Sequence, residues 1–108
     1  MQRLRIQNIP NQQFNIMLGG INYGIHLRTV NRYGVFITLA DIDVDGETVV
    51  SGQRCGANVP LIPYNYLTAD GANFFFYCLN DDYPYYELFN ETQILCYGTK
   101  EELAALWR

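Results

Sequence analysis

The run Asp41-Ile42-Asp43-Val44-Asp45-Gly46-Glu47 carries the most suggestive chemistry in the chain. Acidic residues at alternate positions ahead of a glycine open an EF-hand loop, in which the first, third and fifth side chains converge on calcium. The pattern then breaks. The twelfth position, where a bidentate Glu closes the coordination shell, is Gly52, and the flanking residues alternate as strands do. An Asp-Gly hairpin with carboxylates exposed at a strand end accounts for the same residues.

Nucleophilic catalysis has few residues to draw on. His26 is the one His and Ser51 the one Ser, so a Ser-His-Asp mechanism needs this single pair to converge. Cys55, Cys78 and Cys96 show neither the paired spacing of a zinc site nor a spacing that nominates a Cys-His pair, and buried thiols are common core residues. One Cys pair could still face across adjacent strands. A phosphate-cradling glycine loop is absent as well. The sequence therefore nominates no catalytic residue, no metal ligand and no cofactor site.

Tyrosines leave more to work with. Tyr64, Tyr66, Tyr83, Tyr85 and Tyr86 fall beside prolines in expected loops, where a rigid ring with a polar tip makes a contact surface. The alternative is that these rings fold back over the ends of the domain and pack there. The acidic residues around them repel phosphates and so speak against nucleic acid.

The elements that must position these side chains are strands. Arg3–Gln7 and Phe14–Leu18 alternate polar with apolar residues on either side of Pro10-Asn11. Gly19-Gly20 predicts a tight hairpin into Ile21–Arg28, whose apolar face is Ile21, Tyr23, Ile25 and Leu27, with Asn22, His26 and Arg28 opposite. A turn at Asn31–Gly34 leads to a more buried strand, Val35–Leu39, and Asp45-Gly46 joins Ile42–Val44 to Glu47–Ser51. Residues 56–72, interrupted by Gly56, Pro60, Pro63 and Gly71, read as a long connection. Asn73–Leu79 and Thr92–Tyr97 read as an antiparallel pair joined by the acidic aromatic loop Asp81–Glu87. Thr99 and Glu102 have capping-box spacing, which predicts a short helix over 100–107. The sum is an all-β domain spanning 1–108, an antiparallel β-sandwich or small β-barrel with one C-terminal helix.

Composition agrees with a packed domain. Of 108 residues, 49% are hydrophobic and 17% charged, which excludes disorder, and sixteen aromatics supply large packing groups. The net charge of −4 argues against a phosphate-neutralising surface. Charge is uneven: residues 1–54 hold five Arg against four acids, and residues 55–108 hold two bases against seven acids. The amino-terminal residues show no signal or transit pattern, and the longest apolar run, Phe74–Leu79, is too short to span a bilayer. Reduced thiols in a protein made in a cytoplasm are the expectation.

Several segments, in order, resemble the plug-type baseplate proteins of contractile-tailed bacteriophages. They are Ile9–Phe14, the Leu18–Tyr23 hairpin, Ile25–Arg28, Val49–Cys55, Val59–Leu67, Asn73–Phe76, Asp82–Tyr86 and Gln93–Tyr97. The resemblance implies a structural, non-enzymatic virion protein near the central hub of the tail baseplate, assembled in the host cytoplasm. Its implied partners are hub, spike, tail-tube or tape-measure proteins, with no nucleic acid and no membrane. The five tyrosines named above would then be interface anchors. Ten Asn and six Gln offer directional hydrogen bonds at a wet interface. The rival reading is a small carbohydrate-binding β module that uses the same tyrosines as stacking platforms.

Overall fold

The computed structural model describes residues 1–63, 68, 71–80 and 83–106. Two antiparallel sheets pack face to face, so the sandwich is the observed alternative and the barrel is not: the sheets do not close on one another. The larger sheet is a meander of β2 (Asn11–Leu18), β3 (Ile21–Arg32), β4 (Val35–Val44) and β5 (Glu47–Arg54). The smaller sheet has the order β1 (Gln2–Leu4), β7 (Gln93–Gly98), β6 (Asn73–Cys78), and α1 (Lys100–Leu106) follows β7.

Local sequence explains the meander. Each of its three hairpins turns on two residues of positive φ: Gly19-Gly20 (60° and 79°), Tyr33-Gly34 (54° and 79°) and Asp45-Gly46 (50° and 87°). This is the left-handed pair that matches the right-handed twist of flanking strands. The turn at 45–46 is further fixed by Asp45, whose backbone amide donates to the Asn22 carbonyl at 2.8 Å while its Oδ1 accepts the Asn22 amide at 2.9 Å. The apolar face expected of β3 is the observed one: Tyr23, Ile25 and Leu27 are buried and Ile21 is half-buried. Opposite them on the smaller sheet stand Phe74, Phe76, Leu95 and Tyr97. Tyr23 meets the edge of Phe74 at 5.0 Å between ring centroids and the tilted ring of Tyr97 at 6.0 Å.

β6 is apolar from Phe74 to Phe76 because both of its faces are covered there, while Tyr77 is 44% exposed. Phe74, Phe76 and Cys78 enter the core between the sheets, while Phe75 packs with Cys96 and Leu103 beneath α1. Capping-box geometry starts that helix: the Thr99 amide donates to Glu102 Oε1 at 3.0 Å, and the Glu102 amide reaches Thr99 Oγ1 at 3.5 Å. The outer edge of β6 is covered too. The Asn58 amide donates to the Phe76 carbonyl and that of Leu61 to the Phe74 carbonyl, so part of the long connection runs along the strand.

Some boundaries differ from expectation. β4 is one continuous strand where two pieces were expected, because β5 absorbs the irregularity in two places, at Val49 and at Ser51-Gly52. The first strand ends at Leu4 and pairs with β7, so its partner lies some ninety residues away. A short 3₁₀ turn, Tyr86–Leu88, interrupts the aromatic loop.

Candidate interaction surface

The loop before β7 is held from below by one buried amide. Gln93 is fully buried, its Nε2 donates to the Tyr83 carbonyl at 2.8 Å and its Oε1 accepts the Tyr85 amide at 2.6 Å. Thr38, buried on β4, donates its hydroxyl to the Pro84 carbonyl at 2.7 Å. Three successive residues are thereby fixed to both sheets, and each tyrosine has a defined place.

Tyr83 stands outward, 61% exposed, with the Arg54 guanidinium 4.5 Å from its ring centroid. Tyr85 is half-buried between Phe36 at 5.6 Å and Tyr86 at 4.7 Å. Its hydroxyl is held above the ordinary tyrosine pKa, first by a hydrogen bond with Tyr86 and then by partial burial and the Glu87 carboxylate. Tyr86 packs against the main core, and Phe89, three residues on, stacks on Phe76 at 5.2 Å. The loop tyrosines therefore divide: Tyr83 faces solvent and Tyr86 folds back against the core. Tyr64 and Tyr66 lie outside the described residues.

The amides also divide. Asn90, with φ 68°, exchanges hydrogen bonds with the backbone of Ile6, and Asn8 Nδ2 donates to the Phe89 carbonyl at 2.7 Å. Asn73 brackets the backbone of Ile62, and Asn58 brackets that of Cys78. These amides, with Gln93, satisfy internal backbone groups, so they are not free for a wet interface. Among the amides that face outward, Asn11, Gln13 and Asn15 line up along the edge strand β2.

Sequence reasoning treated Asn31–Gly34 as a plain turn and missed the surface beside the loop. β2 pairs with β3 only as far as Arg28, and β5 pairs with β4 only from Leu39, so Thr29–Thr38 project as a two-stranded arm. Tyr33, Val35 and Phe36 are exposed on it, and Phe36 links the arm to Tyr85. The available signal was Tyr33 itself, a bulky residue where a left-handed turn favours Asn or Gly.

The residues weighed for other chemistry are also placed. Asp41 on β4 lies across the strand pair from His26, with His26 Nδ1 3.4 Å from its Oδ2. Its Oδ1 accepts the Gly52 amide at 2.6 Å and lies 3.4 Å from Arg28 Nη2. Burial alone raises the pKa of this carboxyl, but the Gly52 amide and the Arg28 guanidinium outweigh it and hold the group below its usual range. Asp41 is thus turned to the β5 bulge, while Asp45 caps its own hairpin. Ser51 is exposed on β5. The three cysteines are buried free thiols, and Cys96 lies opposite Phe75, not opposite Cys78. Two shallow clefts, of about 300 and 270 Å³, share Arg5 and sit beside Asn90 and Phe14 respectively.

Among the described residues no helix is long and apolar enough to cross a membrane. No curated protein matches the chain. A family model does: the one described as cyanophage baseplate Pam3 plug gp18 matches residues 1–101, so the chain belongs to the cyanophage baseplate plug family and is a structural baseplate protein of a phage tail.

Proposed function

We propose that the protein packs in or near the central hub of the baseplate as a non-catalytic plug, with hub, spike, tail-tube or tape-measure proteins as neighbours. Its action is mechanical: many modest contacts hold the lower end of the tail closed until contraction or ejection. The observation that carries this reading is the immobilised loop. An exposed Tyr83, backed by Pro84 and fixed through Gln93 and Thr38, offers a neighbour aromatic area that loses little conformational freedom on docking. Tyr64, Tyr66, Tyr83, Tyr85 and Tyr86 are the proposed anchors, with Tyr83 making the outermost contact.

The test is complementation of a phage lacking this protein with a chain carrying alanine at all five positions, beside Tyr83→Ala alone. The proposal expects soluble, folded variant chains and a loss of intact tails, partial for the single change and severe for the five. Unchanged assembly and infectivity with all five replaced would defeat it. Calorimetric titration with a glycan panel separates the carbohydrate-module reading, because a plug gives no saccharide heat.

A further inference from the structure

The larger sheet is electrically polar along its strands. The arm end carries Arg32 and Arg54, with one carboxylate, Glu87, beside Tyr85 on the loop that packs against it, and the opposite end carries Asp43 and Glu47 beside the Asp45 turn with no basic residue among them. Arg32, Asp43 and Glu47 take part in none of the ion pairs formed among the described residues. Along β3 the register positions of Asn22 and Arg32 are ten residues apart, about 33 Å at the strand rise. The molecule measures 38 Å in its longest dimension. With a screening length of about 8 Å at physiological salt, the two ends cannot neutralise each other within one chain.

Each end also carries apolar side chains that are exposed among the described residues. At the acidic end Met17 is 65% exposed and pairs with Asn22, whose backbone the Asp45 turn holds. At the arm end Tyr33 is 105% exposed, with Val35 and Phe36 beside it. Tyr33 occupies a left-handed conformation that is strained for a non-glycine residue, and at the tip of the arm it buries nothing in exchange.

We propose that the arm docks on the acidic end of a second copy of this chain, head to tail. Arg32 meets Asp43 and Glu47 of the next copy, and Tyr33 and Val35 cover its Met17. The two ends are complementary in charge and in apolar area, and they are different surfaces of one molecule. The contact is therefore heterologous and propagates into a ring or a chain of copies. Copy-to-copy contact of this kind stands independently of which hub protein the tyrosine loop meets.

Sedimentation velocity on the full-length protein tests it, at about 25 mM and about 500 mM salt, where screening lengths are roughly 20 Å and 4 Å. The expected result is concentration-dependent assembly past the dimer at low salt, lost at high salt. Arg32→Ser with Tyr33→Gly blocks the arm, and Asp43→Asn with Glu47→Gln blocks the acidic end. Each double variant alone is expected to be monomeric, and the two mixed should form a one-to-one pair, since one intact arm and one intact acidic end remain. Glycine suits the left-handed turn, so Tyr33→Gly alone should leave the melting temperature unchanged or higher while weakening association roughly tenfold. A wild-type chain that stays monomeric at low salt, stops at a symmetric dimer, or assembles equally well with either end blocked would overturn the proposal.

Discussion

Replacing Gln93 with methionine isolates the device that fixes the aromatic loop. Methionine fills nearly the same volume and removes both hydrogen-bonding ends, so the Tyr83 carbonyl and the Tyr85 amide lose their partners together. A buried group stripped of its partner costs roughly 1–3 kcal/mol. Tyr83 is mostly exposed, so its carbonyl can regain water, and the expected total is about 2–4 kcal/mol. Unfolding entropy near 2.1 cal/mol/K per residue makes 1 kcal/mol worth about 4 °C in a chain of this length, so thermal unfolding should shift down by about 8–16 °C. The comparison is Tyr83→Ala, which loses only an exposed contact with Arg54, roughly 0.5–1 kcal/mol, and should move the transition by no more than about 4 °C. Calorimetry of both variants decides the matter. If Gln93→Met melts within about 2 °C of the parent, the buried amide does not anchor the loop and the immobilised contact surface built on it fails.

Two further outcomes follow from the core. Phe74→Ala removes a fully buried ring that touches both Tyr23 and Tyr97, and denaturant unfolding should show a loss of roughly 3–5 kcal/mol; a loss under about 1 kcal/mol would mean that the sheets do not meet there. Burial, and after it the Cys78 thiol, pushes Cys55 up to about 12 from an ordinary value of 9.0. The unfolded chain therefore ionises this thiol first, so stability is full below about pH 9 and falls by as much as roughly 4 kcal/mol as pH rises toward 12. Stability measured against pH should decline less steeply in Cys55→Ala than in the parent above pH 9; equal slopes would contradict the burial of a neutral thiol.

The parts of the fold legible in the sequence are those fixed by local chemistry. Gly19-Gly20 and Asp45-Gly46 announce their hairpins because few residues accept two left-handed conformations in succession. Thr99 and Glu102 announce the helix because the capping contacts span only three residues. The inward face of β3 follows from period-two alternation. What stayed hidden depends on distant parts of the chain. The pairing of Gln2–Leu4 with Leu95–Tyr97 is set by the sandwich edge, and nothing in a three-residue strand specifies it. The arm exists because β2 and β5 are shorter than the strands they flank, a relation between elements that no single segment carries. Amides mislead for a related reason: Gln93 and Asn90 look like surface polarity until the backbone groups they satisfy are brought beside them.

The candidate surface was legible in residue type more than in orientation. Tyr83, Tyr85 and Tyr86 are neighbours in sequence, yet one meets solvent, one meets the arm and one meets the core. Proline between Tyr83 and Tyr85, with a 3₁₀ turn beginning at Tyr86, sends the rings in different directions. That division could not be read from aromatic clustering alone.

Quantitative mass spectrometry of gradient-purified tails tests the central claim most directly. A plug packed at the baseplate hub is expected in intact particles at a fixed ratio to tube and hub proteins, unchanged across gradient fractions and after a high-salt wash. Absence of this chain from intact, infectious particles, or a ratio that drifts from fraction to fraction, would contradict it.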